Sequence, residues 1–301
     1  MRNSYIKNKI LDLSAEEAGE MVDALADQIA EAPVNDDIQH ITELTDEITE
    51  EFNNWGKVSG LKTGYPSLDA MIGGLAPGHV ILIGGETSNG KSALAANIAV
   101  NVSREHGVLF ITLEMLQREL GARLMHINDG RIDDLDIMFQ SEFRINYQDV
   151  EGLFKKAKEK GKVELVVLDY LQYLGRGMKL EEVAKMSKEM KSLALKYEVP
   201  FIVIVSLRKS EGGSKKRQWT DIEIEDFMGT GSIGYDCDVA MIASRKNLEN
   251  EFDADGFYAK VLKTRTNNLD WNNRFLAFKW DKTKIIEDPY KRLDNQGFKT
   301  A

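Results

Sequence analysis

Residues 85–92 of this chain read GETSNGKS, a G-x-x-x-x-G-K-S octet that ties a strand to a helix through one kind of loop. The apolar run Val80–Ile83 before it reads as a buried strand. The run beginning at Lys91, KSALAANIAVNV, reads as a helix reaching to Glu105. Between them, Gly84, Gly85 and Gly90 permit a tight turn whose N–H groups point inward at phosphate oxygens. Lys91 then brings a point charge to the β- and γ-phosphates, and the Ser92 hydroxyl suits Mg²⁺. The helix adds the partial positive charge of its N-terminus. Gly85, Glu86, Thr87, Ser88, Asn89, Gly90, Lys91 and Ser92 are therefore the expected nucleotide-binding set, with ATP and Mg²⁺ as its ligands. A plain glycine-rich turn is the competing reading, but it does not account for strand, loop, Lys-Ser pair and helix in this order.

Downstream, apolar and amphipathic runs alternate. Val80–Ile83, Val108–Leu113, Glu164–Asp169, Phe201–Ser206 and Val239–Ala243 read as strands. Lys91–Glu105, Leu116–Asn128, Gln148–Lys160 and Leu180–Tyr197 read as helices. That alternation predicts an α/β fold with a mainly parallel central sheet covered on both faces. Ligands then sit beyond the carboxyl ends of the strands, where the octet emerges. Phe257–Lys263 and Arg274–Trp280 predict a C-terminal hairpin around a polar loop. Residues 56–79 read as a glycine- and turn-rich lead-in.

The N-terminal stretch differs in charge. Net charge is −10 over the chain, yet residues 1–55 hold 14 acidic and 3 basic side chains. The remainder is close to neutral, so a local basic surface remains compatible with the sequence. Ser14 and Glu17 form a capping-box pattern ahead of a helix that Pro33 stops. A second helix is expected from Asn35 or Asp36, with Ile38, Ile41, Leu44, Ile48, Phe52 and Trp55 on one stripe. Such a stripe docks on a partner surface or packs on its own core, and the spacing leaves both open. The expected organisation is an acidic helical segment at 1–33, a linker helix at 34–56, the nucleotide-binding domain at 57–287 and a polar tail at 288–301. A single cysteine, Cys237, excludes an internal disulfide framework and fits a reducing cytoplasm. No apolar run is long enough for a membrane-spanning helix.

Four further groups carry candidate chemistry. Asp169 ends the apolar run VELVVLD, the Walker B arrangement for holding Mg²⁺. Glu114 ends the run GVLFITLE and is placed to orient or deprotonate an attacking water, the alternative being a glutamate that caps the next helix. Lys263 and Arg265 sit at the hairpin turn, from which cations reach a nucleotide on an adjacent subunit or simply meet solvent. Arg208, Lys209, Lys215, Lys216 and Arg217 cluster beside Trp219 in a glycine-containing loop. Five cations and a stacking face suit single-stranded nucleic acid, although most charge runs are solvated faces.

The segment TGYPSLDAMIGGLAPGHVILIGGETSNGKSALAANIA (63–99) resembles the opening of the ATPase domain of DnaB-type replicative helicases. Thr112-Leu113-Glu114-Met115 is similar to the family's S-L-E-M, and Leu168-Asp169-Tyr170-Leu171-Gln172 to its I-D-Y-L-Q. Gly231-Ser232-Ile233 with Asp236 and Asp238 resembles G-S-I-x-x-D-x-D, and Lys263-Thr264-Arg265 the K-x-R finger. The motifs occur in family order over about residues 40–287. The resemblance implies a RecA-like ATPase in a hexameric ring, with nucleotide between subunits and the helix at 34–56 packed on the neighbour. It also implies single-stranded DNA in the channel, held by loops that include Arg208–Arg217 and Gly229, Thr230 and Gly231, with 5′ to 3′ movement. Its expected catalytic set is Glu114, Lys91, Lys263, Arg265 and residue 206.

Two positions depart from that pattern. Ser206 stands where the family has a glutamine that couples the γ-phosphate to the DNA loops, and Met228-Gly229-Thr230-Gly231 stands for R-E-S-G. Residues 1–33 are too short for the family's N-terminal domain, so a primase, loader or polymerase partner is not specified. A phage or mobile-element replication protein is the expected setting. The alternatives are a RadA- or RecA-like recombination ATPase and a nucleotide-switched assembly or loading ATPase without unwinding.

Overall fold

The computed structural model describes residues 40–54, 58–141, 149–169, 180–207, 218–227, 234, 236–247, 249, 251–265, 274–294 and 297–300. The chain divides into two units, residues 1–53 and 54–301. In the first, a 3₁₀ turn Ile41–Leu44 is capped by His40, whose Nδ1 accepts from the Thr42 amide at 3.4 Å. It runs into helix α1, Thr45–Asn54, on which Phe52 is exposed, as is Ile41 on the turn before it. The expected start at 35 or 36, the whole of 1–33 and Trp55 lie outside the described residues.

The second unit is built on one ten-stranded sheet, in the order β10-β9-β8-β7-β6-β1-β5-β4-β2-β3. Its parallel half contains β1 (Val80–Gly84), β2 (Val108–Thr112), β3 (Ile137–Gln140), β4 (Leu165–Asp169), β5 (Phe201–Ile204) and β6 (Val239–Ser244). Strand β6 then pairs antiparallel with β7 (Gly256–Thr264), which is followed by β8 (Arg274–Asp281), β9 (Lys284–Asp294) and β10 (Gly297–Thr300). All five expected parallel strands and all four expected helices fall within a few residues of their predicted limits; Phe201–Ser206 closes two residues early at Ile204, although Val205 still donates to the Ile83 carbonyl at 3.0 Å.

Helices cover both faces because the central strands are apolar on both faces. Ile81 and Ile83 of β1 pack toward α3 (Lys91–Val102) and α4 (Gln117–Ile127). Val80 and Leu82 pack with α5 (Asp149–Lys160) and α6 (Leu180–Tyr197). Helix α3 carries almost no polar face and is buried along most of its length.

The structure differs from the sequence reading at three places. The lead-in contains a helix, α2 (Pro66–Ile72), which starts on a proline and ends at Gly73 with φ 76°. Strand β3 is a four-residue edge strand whose half-buried residues carry no clean alternation. Residues 288–301 are not simply a polar tail: 288–294 continue β9, and 297–300 pair with it as β10. The β8–β9 register shifts between Leu276 and Phe278, so the stretch holding Pro289 bulges where a proline cannot donate.

Candidate active site

The octet forms the link between β1 and α3. Ser88 and Gly90 take positive φ, 65° and 89°, and a side chain on Gly90 would meet the Phe257 ring. Glu86, Thr87 and Ser88 are exposed, while Asn89 is buried and donates to the Glu86 carboxylate at 3.2 Å. Gly84 differs from the sequence expectation: it ends β1 in strand conformation and is not a turn residue. Lys91 donates from Nζ to the Gly85 and Glu86 carbonyls at 3.0 and 2.9 Å. Burial lowers the Lys91 pKa, and the charges of Asp169, Glu114 and Glu86 act against that fall.

The carboxyl ends of β1, β5, β4 and β2 lie in that order across the sheet. They open on a cleft of about 750 Å³ lined by Thr87, Ser88, Lys91, Ser92, Glu114 and Ser206 among others. Thr112 and Asp169 are paired across β2 and β4, so the two expected carboxylates come from adjacent strands. Glu114 is exposed, and its amide and that of Met115 lie 3.4 and 3.3 Å from the Thr112 hydroxyl. Asp169 is fully buried, and neither of its oxygens meets a donor at hydrogen-bonding geometry. Burial pushes its pKa up to about 6; the Ser92 hydroxyl is close enough to oppose the shift, Glu114 adds to it, and Arg123 and Lys91 also oppose it. A buried carboxylate without a partner, beside a hydroxyl and a phosphate loop, is the oxygen-donor set that Mg²⁺ accepts. The residues fit the ion.

Several cleft residues escaped the sequence reading. Arg123 projects from α4, nine residues beyond Glu114, and only helical phase separates it from the exposed Arg118. Trp280 comes from the end of β8, and Lys282 and Thr283 from the β8–β9 turn. That turn is tied to α3 through Asn97, which donates to the Thr283 carbonyl at 2.9 Å and accepts from the Ile285 amide at 3.1 Å. The Arg245 guanidinium supports Trp280, 4.0 Å from the ring centroid, and holds the Gly256, Asp253 and Ala254 carbonyls. Lys246 pairs with Glu86 at 2.6 Å, joining the end of β6 to the loop.

The other expected residues are not gathered here. Lys263 lies inside the end of β7 rather than on a protruding turn, and its Nζ donates to the Gly234 and Cys237 carbonyls at 2.9 and 2.7 Å. Arg265 faces Asp238 at 3.7 Å. Asp238 also accepts from Lys191 at 2.7 Å and from the Val80 amide at 2.8 Å, which places this group where β1 begins. Trp219 is a correction: it is buried against Phe275 and Tyr258 and donates to the Asn247 carbonyl at 2.7 Å, so it offers no free stacking face. Arg208, Lys209, Lys215, Lys216, Arg217, Gly229, Thr230 and Gly231 lie outside the described residues.

Residues 60–134 and 125–285 match the family described as the DnaB-like helicase C terminal domain. The chain belongs to this DnaB-like helicase family. Among curated relatives, the replicative DNA helicase DnaB of Leifsonia xyli subsp. xyli is 28% identical over 237 residues, covering 69% of this chain and 51% of that protein. The chain thus spans about half the length of that DnaB relative. Among solved structures, an isolated ATPase domain superposes with a TM-score of 0.70 at 19% identity, covering 84% of this chain and 100% of that one. A DnaB-like replicative helicase, described with its interactions with primase, gives 0.66 at 18% identity, covering 95% and 76%. The DnaB-like fold, RecA-like with a mostly parallel sheet and an antiparallel C-terminal extension, is common to both.

Proposed function

We propose that this chain is an ATP-hydrolysing motor that moves single-stranded DNA, 5′ to 3′, through a ring of like subunits and thereby unwinds duplex during replication. One observation carries the reading: in a DnaB-like chain, Lys91, Ser92 and Glu114 line one cleft over the strand ends, and the buried carboxylate of Asp169 lies behind them beside Ser92. Lys91 and the loop amides bind and orient the phosphates. Ser92 and Asp169 would hold Mg²⁺, which would supply positive charge against the charge of the phosphates. Glu114 takes up the proton of the attacking water, and Arg123 adds positive charge across the cleft.

Lys263 and Arg265 leave from the other end of the sheet, so they serve a nucleotide held by an adjacent copy. A closed hexamer meets that need, with α1 as the element that docks on the neighbour and the loops at 208–217 and 228–231 gripping the DNA. The relative's recorded contact with primase belongs to that protein; the partners proposed for this chain are single-stranded DNA and further copies of itself.

Ser206 in the cleft supports a second reading, a nucleotide-switched assembly ATPase without unwinding. Strand separation on a forked substrate, run beside ATP hydrolysis, decides between them. Lys91→Ala is expected to abolish both activities. Unwinding that persists without ATP overturns the motor reading, and ring assembly with negligible DNA-stimulated turnover favours the second.

A further inference from the structure

Gly84 closes β1 as an ordinary strand residue, so its backbone does not demand glycine. Its neighbour across the core does. A β-carbon at position 84 would fall on the Phe227 ring, which is fully buried. Phe227 therefore rests directly on the backbone that leads into the phosphate loop.

The same residue is tied to a second strand end. Phe227 forms an antiparallel bridge with Leu207, and Leu207 follows Ser206 of the cleft. Val205 donates to the Ile83 carbonyl at 3.0 Å, so this strand end is also bonded to β1. A ring of contacts thus runs from Gly84 through Phe227, Leu207 and Val205 back to Ile83, beside the first peptide of the loop.

Two stretches of chain leave from this ring. One follows Leu207 and the other follows Phe227, and they contain the residues that the sequence assigns to DNA contact. Between them, residues 218–227 are anchored at their start: Trp219 is in the core, and Lys260 donates to the Thr220 and Ile222 carbonyls at 2.6 and 3.1 Å. The Phe227 end of that segment meets the strand that carries the nucleotide site.

A backbone and a ring in direct contact leave no flexible side chain to absorb a shift. Close-packed interiors pass such shifts on rather than damp them. Reorientation of the Gly84–Gly85 peptide toward a phosphate therefore moves the Phe227 ring, and the bridge carries that movement to Leu207. Ser206, a short hydroxyl where the family resemblance expects glutamine, makes a route independent of residue 206 the more consequential.

We propose that Phe227 is a positioning residue: seated on Gly84 and bridged to Leu207, it couples nucleotide in the phosphate loop to the grip on single-stranded DNA. This rests on the motor reading above and adds the route by which the two sites communicate.

The test compares oligo-dT affinity, by fluorescence anisotropy on the full chain, with and without a non-hydrolysable ATP analogue and Mg²⁺. Coupling between two sites commonly changes affinity by about 5- to 150-fold, and the wild-type ratio is expected in that range. Phe227→Leu keeps an apolar core residue but withdraws the ring from Gly84. Its ratio is expected to fall to within about twofold of unity, while analogue affinity without DNA stays unchanged. Phe227→Met, which refills most of the space, is expected to recover most of the ratio. Gly84→Ala pushes the ring away from the other side and provides the same comparison should Phe227→Leu not fold. A folded Phe227→Leu or Gly84→Ala protein with the wild-type ratio overturns the proposal. So does a wild-type protein that hydrolyses ATP and binds oligonucleotide equally with and without the analogue, a result that leaves the ATPase in place. Wild-type protein that binds no oligonucleotide under any condition overturns the motor reading itself.

Discussion

Arg265 meets Asp238 at the end of the sheet where β1 begins, its Nη1 3.7 Å from the carboxylate and its amide 3.0 Å from the Asp238 carbonyl. The phosphate loop leaves β1 at the opposite end, five residues on. At about 3.3 Å per residue, roughly 16 Å of strand separates the two before any sideways offset is counted. An arginine so placed does not serve the cleft of its own chain.

Mixing separately inactive subunits reads this out. Lys91→Ala and Arg265→Ala proteins are each expected to lose ATP hydrolysis by about 10³-fold or more. Combined, they form some interfaces with Lys91 from one chain and Arg265 from the next, and hydrolysis returns. Absence of any recovery, with mixed rings verified by mass, places Arg265 within its own subunit.

Glu114→Gln separates binding from cleavage. Removing a general base slows the chemical step by about 10²- to 10⁴-fold, while the loop contacts to phosphate stay in place. Nucleotide affinity is expected to remain near wild type, and single-turnover hydrolysis to fall by that factor. A parallel loss of affinity makes Glu114 a binding residue.

Asp169 carries a cost of burial that pH exposes. Its folded pKa is raised to about 6 from 3.8, so the folded state holds the proton more tightly than the unfolded chain. As pH rises through this window, the charged form destabilises the fold, by roughly 2–3 kcal/mol once it is complete. In EDTA without nucleotide, Asp169→Asn is expected to match wild type near pH 4 and to exceed it above pH 6 in chemical denaturation. With Mg²⁺ and ATP the order reverses, because the carboxylate then has its cation. An asparagine variant less stable at every pH contradicts this account.

Trp280 is the aromatic side chain in the cleft lining, held by Arg245 and stacked on Phe257 with ring centroids 5.9 Å apart. Covered by Arg245 and stacked on Phe257, the ring supports the cleft wall rather than a nucleotide base. A ring pair of this kind contributes about 0.5–1.5 kcal/mol. Trp280→Ala is expected to raise the KM for ATP and weaken inhibition by inorganic tripolyphosphate alike, by up to about 10-fold. A higher KM for ATP with tripolyphosphate inhibition unchanged assigns the tryptophan to base contact instead.

The parts legible in the sequence were those fixed by local rules. The octet, the strand-ending Asp169 and Glu114, and the long helix Leu180–Tyr197 each follow from contiguous residues, and each is where the sequence put it. Helix α2 was also legible, since a proline at its start and a left-handed glycine at its end frame only seven residues; the density of glycines around it hid the signal. What stayed hidden depends on distant partners. Trp219 reads as a stacking face beside five cations, yet its indole is satisfied by the Asn247 carbonyl and its faces by Phe275 and Tyr258. Trp280, Lys282 and Thr283 reach the cleft only because Asn97 bonds a turn some 186 residues further on. Gly84 read as a turn residue because the reason for it, Phe227, is remote in sequence.

Asp238 will stand out in a genetic screen. One carboxylate joins α6 through Lys191, β1 through the Val80 amide and the end of β7 through Arg265. Removing it leaves a largely enclosed ammonium without its counter-charge, a change that typically costs about 3–5 kcal/mol. Selection for loss-of-function alleles will return substitutions at 238 as readily as those at Lys91. The two classes part on a soluble-yield assay, since alleles at 91 accumulate as folded protein and alleles at 238 do not.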